Sequence, residues 1–221
     1  LTHVGFGTVL GEDKKPHKTR SGENITLKAL LEEAIERGTA EVLKRAGDPM
    51  APTHGLPRHD LEAIGKAVGI GAVKYADLSN DLVRDYVFSF DRMVAFEGDT
   101  GPYLQYAHAR VCSIFSKAGI GFADARNAPL LIAEPAEKQL ALVLLRYSGV
   151  VVDVARSLEP HRLCSFLHTL AETYSTFYQE CPVIKAADSA VRQSRLRLCN
   201  LVRRVMADGL GLLGIDAPQR M

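Results

Sequence analysis

A short stretch near the start of the chain carries the residue types that neutralise phosphate charge. Cations alternate there with hydroxyls in the run His17, Lys18, Thr19, Arg20, Ser21 and Gly22. Oriented donors of this kind can close over a triphosphate and stabilise the charge that grows on departing pyrophosphate, because a partly dehydrated site strengthens each contact. The run predicts a loop that binds nucleotide phosphates, although many basic loops are simply solvated.

The elements on either side of this run determine where it could act. Residues 2–10 mix branched and aromatic apolar residues with glycines, which predicts one buried strand. Residues 11–24 are rich in Lys and Arg and lack hydrophobic periodicity, so we expect a loop there. Thr26 is the expected N-cap of a helix that Gly38 interrupts or ends, unless the apolar pair at 42–43 continues its face.

The rest of the chain is predicted to be largely helical. A second helix over 60–78 contains three glycines that permit tight packing, and the aromatic, β-branched segment 85–91 predicts a second strand. Further helices, three of them with a proline in or just before the first turn, are expected over 103–118, 136–148, 161–178 and 189–213. The fold class is therefore mainly α, with a short β/α region over 1–100 followed by an all-helical bundle over 101–221.

The last helix concentrates positive charge in a chain whose formal net charge is only +1. Residues 185–204 contain six basic residues and one acidic residue. Four of the basic residues lie opposite the apolar arc of this helix: Arg192, Arg197, Arg203 and Arg204. Such clustering indicates either a solvated face or a site for a polyanion. Arg195 falls within the apolar arc, so it needs a carboxylate or a backbone carbonyl as its partner.

Several other site types are excluded or disfavoured by the sequence. The glycines in Gly5-x-Gly7-x-x-x-Gly11 have the wrong spacing for a dinucleotide-binding turn. The four cysteines are widely separated and show no metal-ligand spacing, so we expect reduced thiols and no metal site. No apolar run approaches the roughly 18 residues that would span a membrane. The chain opens on Leu1 inside an apolar segment, which predicts a piece of a longer protein.

Four ordered motifs resemble the C-terminal part of a class I arginyl-tRNA synthetase. The segment from His3 to Gly22 is similar to the strand and the degenerate KMSKS loop of that family. Residues 72–79 resemble the segment after its connector, and the run 96–110 resembles the start of its helical anticodon-binding domain. The ending, residues 211–221, also matches the family's Leu-Gly segment and terminal Arg-Met. The resemblance covers essentially the whole chain.

The resemblance implies roles for the basic loop. Lys18, Thr19, Arg20 and Ser21 would be catalytic, and His17, Lys18 and Arg20 would bind the phosphates of ATP, supplied with Mg²⁺ as a substrate. Arg20 stands where the family motif has its second lysine. The family's HIGH signature is absent, and the segment starting at His3 imitates it only superficially. We therefore expect this polypeptide alone to be inactive, although the full-length protein would attach arginine to its tRNA.

The resemblance also implies a tRNA-binding surface on the DALR-type helical domain, residues 101–221. Tyr103, Tyr106 and Arg110 share one face of a predicted helix, where rings and a guanidinium suit bases and phosphates. Core packing is an equally common role for each tyrosine. Tyr178 resembles an aromatic residue that lines an anticodon-base pocket with the C-terminal methionine, here Met221. His108 is expected to be a core histidine rather than a base contact.

Two alternatives to a ligase remain open from the sequence. The chain could be a stand-alone tRNA-binding module without catalysis, or a helical protein-interaction domain with no RNA role. As part of a ligase, its partners would be arginine tRNA, ATP and L-arginine, with no membrane association. We expect such a protein to be a cytoplasmic monomer.

Overall fold

The computed structural model describes residues 3–10, 26–87 and 89–221, so residues 17–21 of the predicted phosphate loop lie outside the described part. This part contains eight helices and two short strands. In chain order they are β1 (Val9–Leu10), α1 (Leu27–Ala46), α2 (Arg58–Leu78), β2 (Tyr86–Val87), α3 (Phe90–Met93), α4 (Gly101–Ala118), α5 (Pro135–Leu145), α6 (Tyr147–Ser157), α7 (His161–Glu180) and α8 (Ser189–Leu212). The prediction of a mainly α fold with a short β/α region is confirmed.

The strands are much shorter than the sequence predicts. Val9 pairs with Tyr86 and Leu10 with Val87 in a parallel ladder of two residues per strand. The expected burial of residues 2–10 is wrong in its first part, because the Phe6 side chain is 87% exposed. A two-stranded ladder stabilises few residues by itself, and the end of the predicted strand 85–91 forms α3 instead.

Helices α1 and α2 form a closely packed pair. Thr26 is the N-cap of α1, as predicted, and its Oγ1 accepts a hydrogen bond from the Ala29 N–H at 3.2 Å. Gly38 does not end this helix, which continues to Ala46. A Cβ on Gly38 would lie 2.7 Å from the Gly65 carbonyl oxygen, and one on Gly65 would lie 2.5 Å from Thr39. The glycines therefore allow the two helix backbones to meet.

The helical bundle after residue 100 has one main core, built by α4, α5, α7 and α8. Its fully buried side chains include Leu104, Leu140, Leu167, Leu170, Leu198, Val202 and Met206. The predicted helix 136–148 is two helices, because α5 ends at Leu145 and α6 begins at Tyr147. All four cysteines are buried and unpaired, as expected for reduced thiols. Burial raises the pKa of the Cys164 and Cys199 thiols to about 12.

A buried ion pair satisfies Arg195, as its place in the apolar arc of α8 requires. Its Nε donates to Glu137 Oε1 at 2.7 Å, and its Nη1 donates to the Pro182 carbonyl at 2.9 Å. Both kinds of partner predicted from the sequence are therefore present. Glu137 lies in the first turn of α5, so the pair ties α5 to α8.

Candidate nucleic-acid interface

The start of helix α4 places three of the predicted tRNA-binding side chains on one face. Thr100 caps this helix, because its Oγ1 accepts from the Tyr103 N–H at 3.2 Å and donates to the Ala95 carbonyl at 2.6 Å. Tyr103, Tyr106 and Arg110 are all partly exposed, whereas their neighbours on the opposite side of α4 are buried. The spacing of three and four residues thus produces the shared face that the sequence predicts.

Tyr178 on α7 joins this face through Arg110. The Arg110 guanidinium lies 5.2 Å from the centre of the Tyr178 ring, within the range of a cation–π contact. The Tyr178 ring in turn lies 6.2 Å from the ring of Tyr174, which is buried in the core. The core therefore supports one side of Tyr178 while Arg110 contacts it from α4.

Tyr103 faces a polar pair on α7. Its ring centre lies 5.6 Å from that of His168, whose Nδ1 is 3.5 Å from a Glu172 carboxylate oxygen. Burial raises the pKa of the Tyr103 phenol, and the nearby Glu172 charge adds to this effect. The phenol is therefore neutral at physiological pH and can both donate and accept a hydrogen bond.

Tyr106 contacts a second group of residues from α1 and the segment before α4. The Arg45 guanidinium lies 3.9 Å from the Phe96 ring centre and 5.5 Å from that of Tyr106. Nε of Arg45 also pairs with Glu41 at 3.0 Å. Arg45 and Phe96 were not predicted as part of this surface. Phe96 lies within the motif 96–110, but no local sequence signal marks Arg45.

Met221 is buried in the hydrophobic cluster against which Tyr106 packs. Its side chain is 4% exposed and belongs to a small hydrophobic cluster to which α1, α2 and α4 contribute Val42, Val68 and Ala109. Tyr106 packs against this cluster, whereas Tyr178 packs against the main core. Tyr106 and Arg110, one helical turn apart, therefore link the surroundings of Met221 to those of Tyr178.

We call the partly exposed set Tyr103, Tyr106, Arg110 and Tyr178 the α4–α7 surface. It combines three aromatic rings with a guanidinium on adjacent helices. His108 does not belong to it, because this side chain is 2% exposed, as expected for a core histidine. The arrangement offers ring faces and edges for stacking and a cation for a phosphate.

The basic residues of α8 are in part structural. The guanidinium of Arg203 lies 4.1 Å from the Phe122 ring centre, and its Nε donates to Asn200 Oδ1 at 3.1 Å. Burial lowers the pKa of Arg203, and the nearby charge of Arg204 adds to this effect. Arg197 donates to the Ala128 carbonyl. These contacts hold the connector between α4 and α5 against α8.

The other two arginines of this helix differ in exposure. Arg204 is exposed to solvent, whereas Arg192 is half-buried and its Nε has no hydrogen-bond partner among the described atoms. The predicted basic face is therefore less uniform than the helical spacing implies. The contacts that Arg197 and Arg203 make outside α8 are with the α4–α5 connector.

Neither a metal site nor a membrane-spanning helix occurs in the described residues. Across 3–10, 26–87 and 89–221, no three His, Cys, Asp or Glu side chains converge as metal ligands would. Within the same ranges, no helix is both long enough and apolar enough to cross a membrane.

Comparison with known proteins gives two family matches. Residues 104–221 match the family model of the DALR anticodon binding domain, which covers more than half of the chain. Residues 1–90 match the model described as tRNA synthetases class I (R), catalytic domain. The chain belongs to the DALR anticodon-binding family of class I arginyl-tRNA synthetases. The family predicted from the sequence motifs is thereby confirmed.

Individual arginyl-tRNA synthetases match along the whole chain. The arginine–tRNA ligase of Cellvibrio japonicus is 47% identical over 222 residues, and that of Thermobifida fusca is 50% identical over 219 residues. These alignments cover 100% and 99% of this chain but only 37% of each relative. The chain thus spans just over a third of the length of these relatives.

Solved arginyl-tRNA synthetases share the fold described above. The Thermus thermophilus structure aligns with a TM-score of 0.84 at 34% identity, and the Plasmodium falciparum structure with 0.82 at 27% identity. Each alignment covers 99% of this chain and 35% of the other chain. Tyr106, Arg110, Tyr178 and Met221 lie in the DALR match, Tyr103 lies one residue before it, and residues 17–21 lie in the catalytic-domain match.

Proposed function

We propose that this chain is the tRNA-holding part of an ATP-dependent arginine–tRNA ligase. The observation that carries the proposal is the α4–α7 surface, where three partly exposed tyrosines and Arg110 meet on two helices of a DALR domain. Single-stranded RNA is read by stacking splayed bases on aromatic rings, with cations at the phosphates. The partner is therefore the anticodon loop of arginine tRNA.

Each residue of the surface has a proposed part in holding the RNA. Tyr178 and Tyr106 offer ring faces to unstacked bases, and Tyr103 offers a neutral phenol for a hydrogen bond. Arg110, beside the Tyr178 ring, binds a backbone phosphate. Met221 supports Tyr106 from within the hydrophobic cluster. Exposed Arg204 extends the contact, while Arg192, Arg197 and Arg203 contribute long-range positive charge.

The basic loop contributes to catalysis in the full-length enzyme. Arginine's carboxylate attacks the α-phosphate of ATP and releases pyrophosphate, and the terminal adenosine hydroxyl of the tRNA then attacks the adenylate. Lys18 and Arg20, with His17, would neutralise the pyrophosphate charge, and Thr19 and Ser21 would donate hydrogen bonds to its oxygens. Mg²⁺ would accompany ATP as part of the substrate.

The organisation of the protein follows the same proposal. Residues 1–100 would complete the catalytic domain and contact the tRNA stem, and residues 101–221 would form the anticodon-binding domain. The enzyme would be a cytoplasmic monomer. A tRNA-binding module without catalysis is not favoured, because residues 1–90 of this chain match the catalytic-domain family model.

A double substitution tests the catalytic part of the proposal. In the full-length enzyme, Lys18→Ala with Arg20→Ala should slow arginine-dependent ATP–pyrophosphate exchange far more than it weakens tRNA binding. The matched control, Lys117→Ala with Arg156→Ala, removes the same charge from exposed positions. Equal losses of exchange and tRNA binding would contradict the assignment. The 221-residue chain alone is expected to show no exchange, so exchange by this chain would also oppose the proposal.

A further inference from the structure

The last eight residues, which we call the C-terminal strap (214–221), are held against two helices. Gly214 has a φ of +68° and turns the chain away from the end of α8. Ile215 is 2% exposed and Met221 is 4% exposed. Residues 215–221 form neither helix nor strand, so the burial of Met221 in this irregular segment requires specific contacts.

Gln105 supplies the first of these contacts. This side chain lies fully buried on α4, and its Nε2 donates to the Ala67 carbonyl at 3.1 Å and to the Asp216 carbonyl at 2.8 Å. One amide group therefore links α4, α2 and the strap. Gly71 makes room for it, because a Cβ there would lie 2.8 Å from Gln105 Nε2. Lys74 adds a hydrogen bond to the Gly214 carbonyl.

His108 supplies the second contact, one turn further along α4. Its Nδ1 lies 2.9 Å from the Pro218 carbonyl oxygen, so Nδ1 carries the proton and donates it. The other ring nitrogen, Nε2, lies 3.7 Å from the Cys112 Sγ. Since a proline carbonyl can only accept, replacing the Nδ1 donor leaves this part of the strap without its bond.

We infer that Gln105 and His108 are positioning residues that, through the strap, hold Met221 in the buried cluster supporting Tyr106 of the α4–α7 surface. Pro218 is three residues from Met221, and Asp216 is five residues from it, so both bonds restrain the short segment that ends in the buried methionine. Met221 packs in the cluster that supports Tyr106, and Tyr106 is part of the α4–α7 surface. This inference rests on the proposed function, because it concerns how that surface is assembled.

A matched pair of His108 variants in the full-length enzyme tests the inference. His108→Asn keeps a donor near the position of Nδ1, whereas His108→Gln moves the donor to the position of Nε2. His108→Gln should raise the KM for tRNA about tenfold, the order expected for one lost buried hydrogen bond, with kcat and the KM for ATP unchanged. His108→Asn should restore the wild-type KM for tRNA.

Gln105→Met provides a second test that does not depend on the His108 variants. It keeps a similar volume but removes both donors, so the KM for tRNA should rise about tenfold or more while the KM for ATP stays constant. Gln139→Met, on the exposed side of α5, is the matched control and should change neither constant. An unchanged KM for tRNA in Gln105→Met, or equal losses in all constants, would overturn the inference.

A double variant separates positioning from general damage. If His108 acts through Met221, His108→Gln combined with Met221→Ala should raise the KM for tRNA no further than Met221→Ala alone. Additive effects would overturn the inference. The charging activity of the wild-type enzyme separates the two proposals. Failure to charge tRNA with arginine would refute the proposed function, whereas normal charging with an unchanged KM for tRNA in the variants would refute only the role of the strap.

Discussion

At the residue scale, the Arg195–Glu137 pair shows how a charge is accommodated in the core. The two side chains are 10% and 1% exposed. Burial alone would raise the pKa of the Glu137 carboxyl. Hydrogen bonds from the Glu134 N–H, from Arg195 and from the Ala133 N–H outweigh burial, so the pKa is lowered. The pair therefore stabilises the fold above about pH 4.3, and that contribution is lost as the pH falls through the lowered pKa.

Removing the cation should expose the cost of the buried carboxylate. We expect Arg195→Met to lower the free energy of unfolding by about 3 kcal/mol, because Glu137 would be left buried without its partner. Urea denaturation at pH 7 measures this value. The control, Arg156→Met on the exposed face of α6, should change it by less than about 0.5 kcal/mol. Similar values for both variants would contradict this account of the pair.

His108 should give the protein a second pH-dependent contribution to stability. Burial lowers its pKa, the nearby Arg203 charge lowers it further, and the bond to the Pro218 carbonyl only partly opposes them. Because the folded pKa lies below the unfolded value of about 6.5, the unfolded chain takes up this proton first as the pH falls. The contribution is therefore full above about pH 6.5 and declines below it.

Urea denaturation at pH 7.5, 6.5 and 5.5 tests whether stability falls with pH in this direction. We expect the wild-type protein to lose stability across the series, and we expect His108→Asn to lose less because it cannot take up the proton. His59→Asn removes an exposed histidine and should leave the wild-type slope unchanged. If the free energy of unfolding of His108→Asn changed with pH as steeply as that of the wild-type protein, the pH dependence would belong to other groups.

At the element scale, the α1–α2 pair depends on glycines in a way that helix propensity does not predict. Each interior glycine costs a helix about 1 kcal/mol relative to alanine. In α1 and α2, however, glycines lie where the two backbones meet, with Gly38 against Gly65 and Gly69. The packing of two helices therefore outweighs a local preference that would have ended α1 at Gly38.

Two glycine-to-alanine substitutions should change the stability of the protein in opposite directions. Gly69→Ala should destabilise the protein by about 2 kcal/mol, because its Cβ would overlap the Ala34 carbonyl of α1. Gly149→Ala, where no atom lies within 4 Å of the added Cβ, should stabilise α6 by about 0.5–1 kcal/mol. Thermal or urea denaturation provides the comparison. Stabilisation by both substitutions would mean that the packing of α1 against α2 does not depend on close contact between their backbones.

At the scale of the whole molecule, the net charge of +1 conceals how charge is distributed. In the sequence, basic residues concentrate at 14–20 and on α8, while the α4–α7 surface combines a single guanidinium with aromatic rings. Under the proposed function, tRNA binding should therefore combine a salt-dependent phosphate contribution with a stacking contribution that responds little to salt.

Two substitutions on the α4–α7 surface should separate these contributions. Arg110→Ala should reduce the slope of log K against log salt by about one, because it removes the phosphate contact proposed for Arg110. Tyr178→Ala should weaken binding by about 1–3 kcal/mol with an unchanged slope, because it removes stacking. Filter binding of arginine tRNA by the full-length enzyme, from 50 to about 200 mM salt, measures both. A changed slope in Tyr178→Ala would contradict the division of roles.

Local signals in the sequence predicted much of this protein. The N-cap at Thr26, the helix starts marked by Pro102 and Pro135, and the shared face of Tyr103, Tyr106 and Arg110 all depend on residues within one or two helical turns. The family motifs, including the run at 17–21, are equally local. The sequence alone was therefore sufficient to predict these features and the family.

Only the tertiary structure decided which distant residues meet. Arg195 bonds to Glu137, 58 positions away in the sequence, and His108 bonds to Pro218, 110 positions away. The length of the strands, the continuation of α1 past Gly38 and the burial of Met221 also depend on packing between elements. Periodicity and capping act over a few residues, whereas these contacts depend on how whole helices lie against one another, and no local pattern encodes that placement.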